Sequence, residues 1–290
     1  MRKKIAVLAD IHSNHIALET CLKEAQKRGA QEYLFLGDYL GELAYPEKTL
    51  EILDWMAQQY SCVFIRGNKE DYWINHHNGT GNWKWQTGTS GSGMLVYVYE
   101  RLTSDQIERF ERMPIAKTIH YSGYPPFVIC HGSPWKTNES LREDYDYIDE
   151  KTKLLETELT ICAHFHIQSE YTRNGKRVVN PGAVGVPLQS DGMTQFMMLH
   201  GEDGRWMTEF ISLSYDRETV MREMDAEKLY RQAPGWYRVT KDVLRNGKAT
   251  HLTALTRAHD LYKNDLGIDD WGNIPEKYWD MALSELNIPY

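Results

Sequence analysis

The sequence predicts an α/β fold with a strand-rich second half and a helical C-terminal appendage. Three observations carry this expectation. Short apolar runs alternate with helix-period stretches up to about residue 65. Between about residues 116 and 213 apolar runs follow one another with a single helix-like interruption. From Asp216 onward the chain is polar, aromatic and helical in spacing. Two packed sheets with helices outside satisfy both halves. At 290 residues and 41% hydrophobic, the chain can bury a full core.

The elements follow in order. "KKIAVLAD" is a short apolar run bounded by polar residues, a buried strand. "HIALETCLKEAQKRG" places Ile16, Leu18, Cys21, Leu22 and Ala25 near helical spacing, with Gly29 as a stop. "EYLFLGD" is a second strand. "PEKTLEILDWMAQQY" is a second helix, with Pro46 suited to its first turn. "CVFIRGN" is a third strand. "HHNGTGNWKWQTGTSGSG", residues 76–93, is rich in Gly, Asn, Thr and Ser and reads as a long loop or lid. "LTSDQIERFERMP" restarts a helix, with capping-box spacing at Thr103 and Gln106 and Pro114 beyond its end. "AKTIHY", "PFVICH", "LTICAH", "RVVNPG", "QFMMLH" and "WMTEFISL" are strands, interrupted around Glu139 to Glu158. Pro234-Gly235 and Gly267 break the C-terminal helices. The expected organisation is a main domain over 1–215, with 76–93 as a lid or insertion, and an appendage over 216–290.

Composition excludes several classes. The 33 Lys and Arg against 41 Asp and Glu leave a net charge of −8, which argues against a duplex-binding surface and makes a polymeric nucleic-acid partner unlikely on charge grounds. The apolar run of "MRKKIAVLAD" stops at Asp10, too soon for a signal-peptide core, and no later run reaches membrane-spanning length. Cys21, Cys62, Cys130 and Cys162 show no CxxC spacing and read as thiols of a reducing compartment. A cytoplasmic protein with no membrane partner is expected.

The residues just past the strands carry the chemistry. The first strand runs into Asp10-Ile11-His12 and the second into Gly37-Asp38-Tyr39-Leu40-Gly41. The third ends in Gly67-Asn68. Later strands end in His131-Gly132-Ser133, His164-Phe165-His166 and Asn180-Pro181-Gly182. Ligands of open α/β sheets bind outside the carboxyl ends of strands. Singly, Asp-x-His or Gly-Asp is more often a turn, but six such ends converging on one edge select a site. Asp10/His12 and His164/His166 are i, i+2 pairs, which extended chain would point to one side. Gly37 and Gly41 allow close approach of the backbone around Asp38. Two carboxylates, four imidazoles and one amide, with no thiolate, suit Mn, Fe, Zn, Co or Ni better than Mg or Ca. Seven donors exceed one ion and suit two divalent ions if a carboxylate bridges, a centre that attracts a phosphoryl group.

In chain order over residues 5 to 188, Asp-x-His, Gly-Asp-x-x-Gly, Gly-Asn-x-[Asp/Glu], a strand-borne His-Gly, x-His-x-His and Asn-Pro-Gly resemble the calcineurin-like metallophosphoesterases. The likeness is strongest to the small bacterial phosphodiesterase/phosphatase branch, which includes dinucleoside polyphosphate hydrolases. It implies a four-layer αββα sandwich. It implies that Asp10, His12, Asp38 and His166 hold one ion and that Asp38, Asn68, His131 and His164 hold the other, with Asp38 bridging. It implies hydrolysis of a small phosphorylated, nucleotide-type substrate by in-line attack of a metal-bound hydroxide, with Mn, Fe or Zn as cofactor and Mn the ion expected in vitro. The alternative function is a non-hydrolytic scaffold, since the family includes a retromer subunit with degraded metal chemistry. The complete donor set here favours the enzyme.

Two positions depart from the family pattern. Lys69 stands where a histidine often assists the leaving group, and Ala163 stands where a glycine is usual. Lys69 is the expected cation beside the phosphate, a catalytic and substrate-binding candidate that is a poor proton donor at its ordinary pKa. His76 and His77 are candidate substitutes for the absent histidine. Trp73, Trp83, Trp85 and Trp135 are candidates for a wall that stacks a base, against the plainer reading of packing.

Overall fold

The structure is a computed structural model that describes every residue except Met1, Asn82, Ala249 and Tyr290. Asn82 belongs to the expected lid, and Ala249 and Tyr290 to the expected appendage, so those parts of the two expectations lie outside the described residues.

The chain runs β1 (Lys3–Leu8), α1 (His15–Lys27), β2 (Glu32–Phe35), α2 (Pro46–Gln59), β3 (Ser61–Phe64), α3 (Asn68–His77), α4 (Gly93–Tyr99) and α5 (Ser104–Arg112). It continues through β4 (Ala116–Ile119), β5 (Phe127–Cys130), α6 (Ile148–Leu154), β6 (Leu159–Ile161), β7 (Gln168–Arg173), β8 (Lys176–Pro181), β9 (Thr194–Glu202) and β10 (Arg205–Leu213). Five helices close it: α7 (Arg217–Ala226), α8 (Leu229–Gln232), α9 (Pro234–Asn246), α10 (His251–Leu266) and α11 (Glu276–Glu285).

The strands form two mixed sheets, ordered β10-β9-β1-β2-β3 and β4-β5-β6-β8-β7. Strand periodicity builds the layers. In β1, Ile5 and Val7 face the opposite sheet and pack with Phe127, Ile129, Ile161 and Leu199. Ala6 and Leu8 face the other way and pack with Leu18, Cys21 and Leu53 of the outer helices. The second sheet buries Cys130, Cys162 and Val178 against Ile148 of α6. This is the two-sheet sandwich flanked by helices that the sequence leads one to expect. The Thr103–Gln106 capping box forms at the start of α5, Pro46 opens α2 and Gly267 caps α10 in the left-handed region.

Three elements were not expected. β7 is a polar edge strand, "QSEYTR", whose alternation is too weak to read. The chain after Gly67 does not stop at a turn: Asn68 is the first residue of α3. Gly93–Tyr99 forms α4, which buries Met94, Leu95, Tyr97 and Val98.

Two parallel blocks position the site. β1, β2 and β3 run parallel, as do β5, β6 and β8. Their carboxyl ends therefore deliver Asp10, Asp38, Asn68, His131 and His164 to one edge of the sandwich.

Candidate metal centre

The loops that leave these strands are stitched together by their backbones. Asp10 N donates to Gly37 O (3.2 Å), His12 N to Asp38 O (3.0 Å) and Ser13 N to Tyr39 O (3.0 Å). Gly37 lies at φ +88°, and a Cβ there would come within 2.4 Å of Gly67 N, so the second and third loops touch only because Gly37 is glycine. Glu70, fully buried, ties the same two loops. Its carboxylate accepts from Asp38 N (2.9 Å), Tyr39 N (2.9 Å) and Gly67 N (2.7 Å).

The i, i+2 pairs converge by a different route from the extended chain expected of them. Asp10, His12, Asp38, His164 and His166 all have positive φ, from 49° to 75°. Left-handed backbone at non-glycine residues costs energy and concentrates at functional turns. It folds each loop back on itself and turns both side chains of each pair inward. Ala163 is not among the positive-φ residues, so the missing glycine introduces no backbone strain. Asn180 Nδ2 instead holds Ala163 O (2.8 Å) and so fixes the start of the His164 loop.

The inward-facing atoms are almost all acceptors. His131 Nδ1 lies 2.7 Å from Leu36 O and His166 Nδ1 3.1 Å from Val186 O. Glu42 Oε2 lies 2.6 Å from His12 Nδ1. Each partner is an acceptor, so in its neutral form each imidazole keeps its proton on Nδ1 and leaves Nε2 free for a cation. The bare Nε2 atoms of His12 and His166 are 3.3 Å apart. The bare Nε2 of His131 is 3.1 Å from Asn68 Oδ1. Asp38 sits between the two sets, with Oδ2 3.7 Å from His12 Nε2 and Oδ1 3.5 Å from His131 Nε2. Asp10 Oδ1 lies 3.4 Å from His166 Nε2 and 3.9 Å from His131 Nε2, and it is buried without a hydrogen-bond donor. Lone pairs facing each other at these distances repel unless a cation lies between them. The donor set and its orphaned atoms fit divalent metal ions. Asp10, His12 and His166 form one group whose ligand atoms lie within 4.8 Å of one another, and Asp10, Asp38 and His131 form a second.

The charges respond to this crowding. Burial and the neighbouring Asp10 push the Asp38 carboxyl up to about 6, against the pull of His12 and Lys69. Burial would raise Asp10, but His166, His131 and His12 hold it well below the usual carboxylate range. Burial and His131 pull His164 down to about 3, which leaves that ring neutral with a free lone pair. Burial and Asp38 push Glu70 up to about 7.

Lys69 points into this edge, with Nζ 2.6 Å from Glu42 Oε1 and backbone N 2.9 Å from Asp38 Oδ1. Burial works to lower its pKa, but Glu42 and Asp38 raise it above the ordinary value. It stands as a fixed cation rather than a proton donor. Glu42 thus links Lys69 to His12. The sequence reading did not single out Glu42, though its place right after Gly41 in the ligand turn was a usable signal.

A cavity of about 790 Å³ opens on His12, Asp38, Asn68, Lys69, His164 and His166. The structure does not bring His76, His77 or Trp135 into its lining. His76 stacks on Trp85 at 4.0 Å, and His77 Nδ1 lies 3.2 Å from Tyr99 Oη. Trp135 is 41% exposed elsewhere. Trp73 is buried in the core and donates to Leu95 O. Of the four tryptophans weighed for a base wall, Trp83 alone lines the cavity. The C-terminal region adds Trp236, His251, Leu252 and Trp271 to the lining, all far downstream of every strand-end motif.

A two-sheet α/β sandwich with a cation-seeking cluster at its strand ends is the architecture of a metal-dependent hydrolase. Residues 3–204 match the calcineurin-like phosphoesterase superfamily domain. The chain belongs to that superfamily and is a metal-dependent phosphoesterase. It is 22% identical over 252 residues to an uncharacterized protein of Methanocaldococcus jannaschii, covering 81% of this chain and 96% of that protein. Its fold is similar to that of a hypothetical protein from Pyrococcus horikoshii OT3 (TM-score 0.70, 23% identity, 85% of this chain and 99% of that one). It is also similar to a metallophosphoesterase from Sphaerobacter thermophilus (TM-score 0.67, 18% identity, 85% of this chain and all of that one). No helix among the described residues is long and apolar enough to cross a membrane.

Proposed function

We propose that the chain hydrolyses a small nucleotide-type phosphoester or anhydride at a two-ion centre in the cytoplasm. Asp10, His12, Asp38 and His166 would hold one ion; Asp38, Asn68, His131 and His164 would hold the other. The observation that carries this reading is the facing of bare acceptors, His12 Nε2 against His166 Nε2 and His131 Nε2 against Asn68 Oδ1. Asp38, with one oxygen toward each set, is the bridging carboxylate. Mixed nitrogen and oxygen donors favour Mn, Fe or Zn, with Mn the first choice for reconstitution. When bound, such ions lower the pKa of water and neutralise charge on the phosphoryl oxygens.

The chain's own residues do the positioning. Leu36 O and Val186 O orient the His131 and His166 rings through their Nδ1 atoms, and Glu42 lies beside Nδ1 of His12. Glu70 fixes the distance between the Asp38 and Asn68 turns. Lys69 keeps a positive charge at the mouth of the centre, where it offsets negative charge on the substrate. A lysine in place of a proton donor suits substrates whose leaving group needs little protonation. Residues 1–215 form the phosphoesterase domain and 216–290 an appendage that walls its cavity. A scaffold would not need the full acceptor set.

The test is a Mn-loaded activity panel of a phosphomonoester, a phosphodiester, a cyclic nucleotide and a dinucleoside polyphosphate. Asp38→Asn should lower turnover at least about a hundredfold on every substrate the wild type cleaves. Unchanged turnover in that variant would overturn the assigned centre.

A further inference from the structure

The cavity is too large for a phosphoryl group alone. Its volume of about 790 Å³ is in the range of pockets that enclose a whole organic ligand, on the order of 300–1,000 Å³. Part of the lining is aromatic and held in place. Trp83 Nε1 donates to Gly272 O (3.1 Å), and the ring packs so tightly on Gly272 that a Cβ there would come within 2.3 Å of it. Trp271 lies flat on His259, with centroids 3.7 Å apart and planes 8° apart, so one face is covered. The residue is still 47% exposed and lines the cavity. Trp236 is flanked by His251 at 4.5 Å and by Lys69 Nζ at 5.6 Å. Indoles fixed before a ligand arrives lose little entropy on binding.

Beyond Lys69, which serves the phosphoryl group at the centre, the lining has little positive charge. Lys69 and Arg142 are the lysine and arginine among the described lining residues. Lys69 is paired with Glu42, and Arg142 with Asp144. Asp269 and Asp270, next to Trp271 in the chain, also line the cavity. Asp269 is shared with His259 and Lys263, and Asp270 caps its own turn through Gly272 N and Asn273 N. Carboxylates beside Trp271 oppose a second phosphate.

We propose that the C-terminal segment from Trp236 to Gly272 and residues 83–92 form the specificity wall of the enzyme, taking a neutral planar aromatic group from a substrate with a single phosphoryl unit. The inference rests on the phosphoesterase reading and narrows it: the phosphoryl group lies at the metal centre, and a nucleobase or aryl ring stacks on the tryptophan wall. A dinucleoside polyphosphate, with further charge beyond the first phosphoryl group, is the disfavoured member of the class.

The test begins with binding alone, followed by quenching of tryptophan fluorescence in the full-length, Mn-loaded protein. Adenosine and benzyl alcohol carry a ring and no phosphate, and ribitol carries neither. Saturable quenching by adenosine, by benzyl alcohol or by both, and none by ribitol, is the expected result; which ring binds distinguishes base from aryl. No quenching by either ring overturns the proposal, whether or not the enzyme cleaves any ester. The second arm compares kcat/KM for AMP with that for glycerol phosphate. Trp271→Ala should lower the AMP-to-glycerol-phosphate ratio about tenfold to a hundredfold, the worth of one stacked base, and Trp271→Phe should largely restore it. An unchanged ratio in a folded Trp271→Ala variant overturns the wall. If that variant does not fold, the adenosine titration of the wild type decides. Tighter binding of diadenosine tetraphosphate than of AMP would overturn the single-phosphoryl assignment.

Discussion

Replacing Glu70 by alanine removes the acceptor that three buried backbone amides share. Asp38 N, Tyr39 N and Gly67 N all donate to its carboxylate at 2.7–2.9 Å. Each buried N–H left without a partner costs about 1–3 kcal/mol, so three cost about 3–9 kcal/mol before relaxation. Part of this is offset. Burial and Asp38 push the Glu70 carboxyl up to about 7, so the native state is already burdened by the buried charge, and removing it relieves that burden. The expected net loss is about 2–4 kcal/mol, a large share of a typical stability of about 5–15 kcal/mol. Glu70→Gln keeps an oxygen for two amides but turns its own NH₂ toward the third, and should fall between alanine and wild type. The assay is urea unfolding of metal-free protein, which removes the contribution of bound ions to stability. A Glu70→Ala unfolding free energy within about 0.5 kcal/mol of wild type, at unchanged slope, would refute the claim that this side chain holds the two ligand turns.

Metal affinity should depend on pH through Asp38. Its folded pKa is raised to about 6 by burial and Asp10, and a carboxyl must lose its proton to ligate, so protons compete with metal as the pH falls below 6. Affinity should be about tenfold lower at pH 5 than at pH 7. Calorimetric titration with Mn at both values checks this, and equal affinities would count against it. Glu276 holds the 78–92 loop against α11 by accepting from Ser90 N and Ser90 Oγ, both at 2.6 Å. Glu276→Ala should open that loop locally by about 1–3 kcal/mol. Limited proteolysis should then cut within 78–92 at least about fivefold faster; an unchanged cutting rate would show that the loop is held by other contacts.

Much of the centre was legible because its side chains follow apolar runs directly. Asp10, Asp38, Asn68, His131 and His164 each stand within four residues of the end of a strand. Parallel pairing in both sheets makes those ends neighbours in space. The turn geometry was less legible, because left-handed backbone at Asp10, His12 and Asp38 is imposed by inter-loop hydrogen bonds and not by glycine at those positions. "GNKEDYW" was readable as a turn bearing an amide. That it opens a helix, and that Glu70 reaches back to bind the turn, depends on where the neighbouring loop lies. Trp236, His251 and Trp271 were not legible as cavity residues, because helices α9 to α11 reach the site by tertiary packing and no local pattern marks which aromatic faces a ligand. β7 escaped notice for the opposite reason: an edge strand of polar residues carries little of the alternation that reveals a strand.

The central claim is that one chain holds two divalent ions between facing acceptors. Elemental analysis of Mn-reconstituted protein after exhaustive dialysis tests it most directly. Two ions per chain in the wild type, falling to one or none in Asp38→Asn while the fold melts as before, is the predicted result. A wild type that retains no metal, or an Asp38→Asn variant that still retains both ions, would contradict the account.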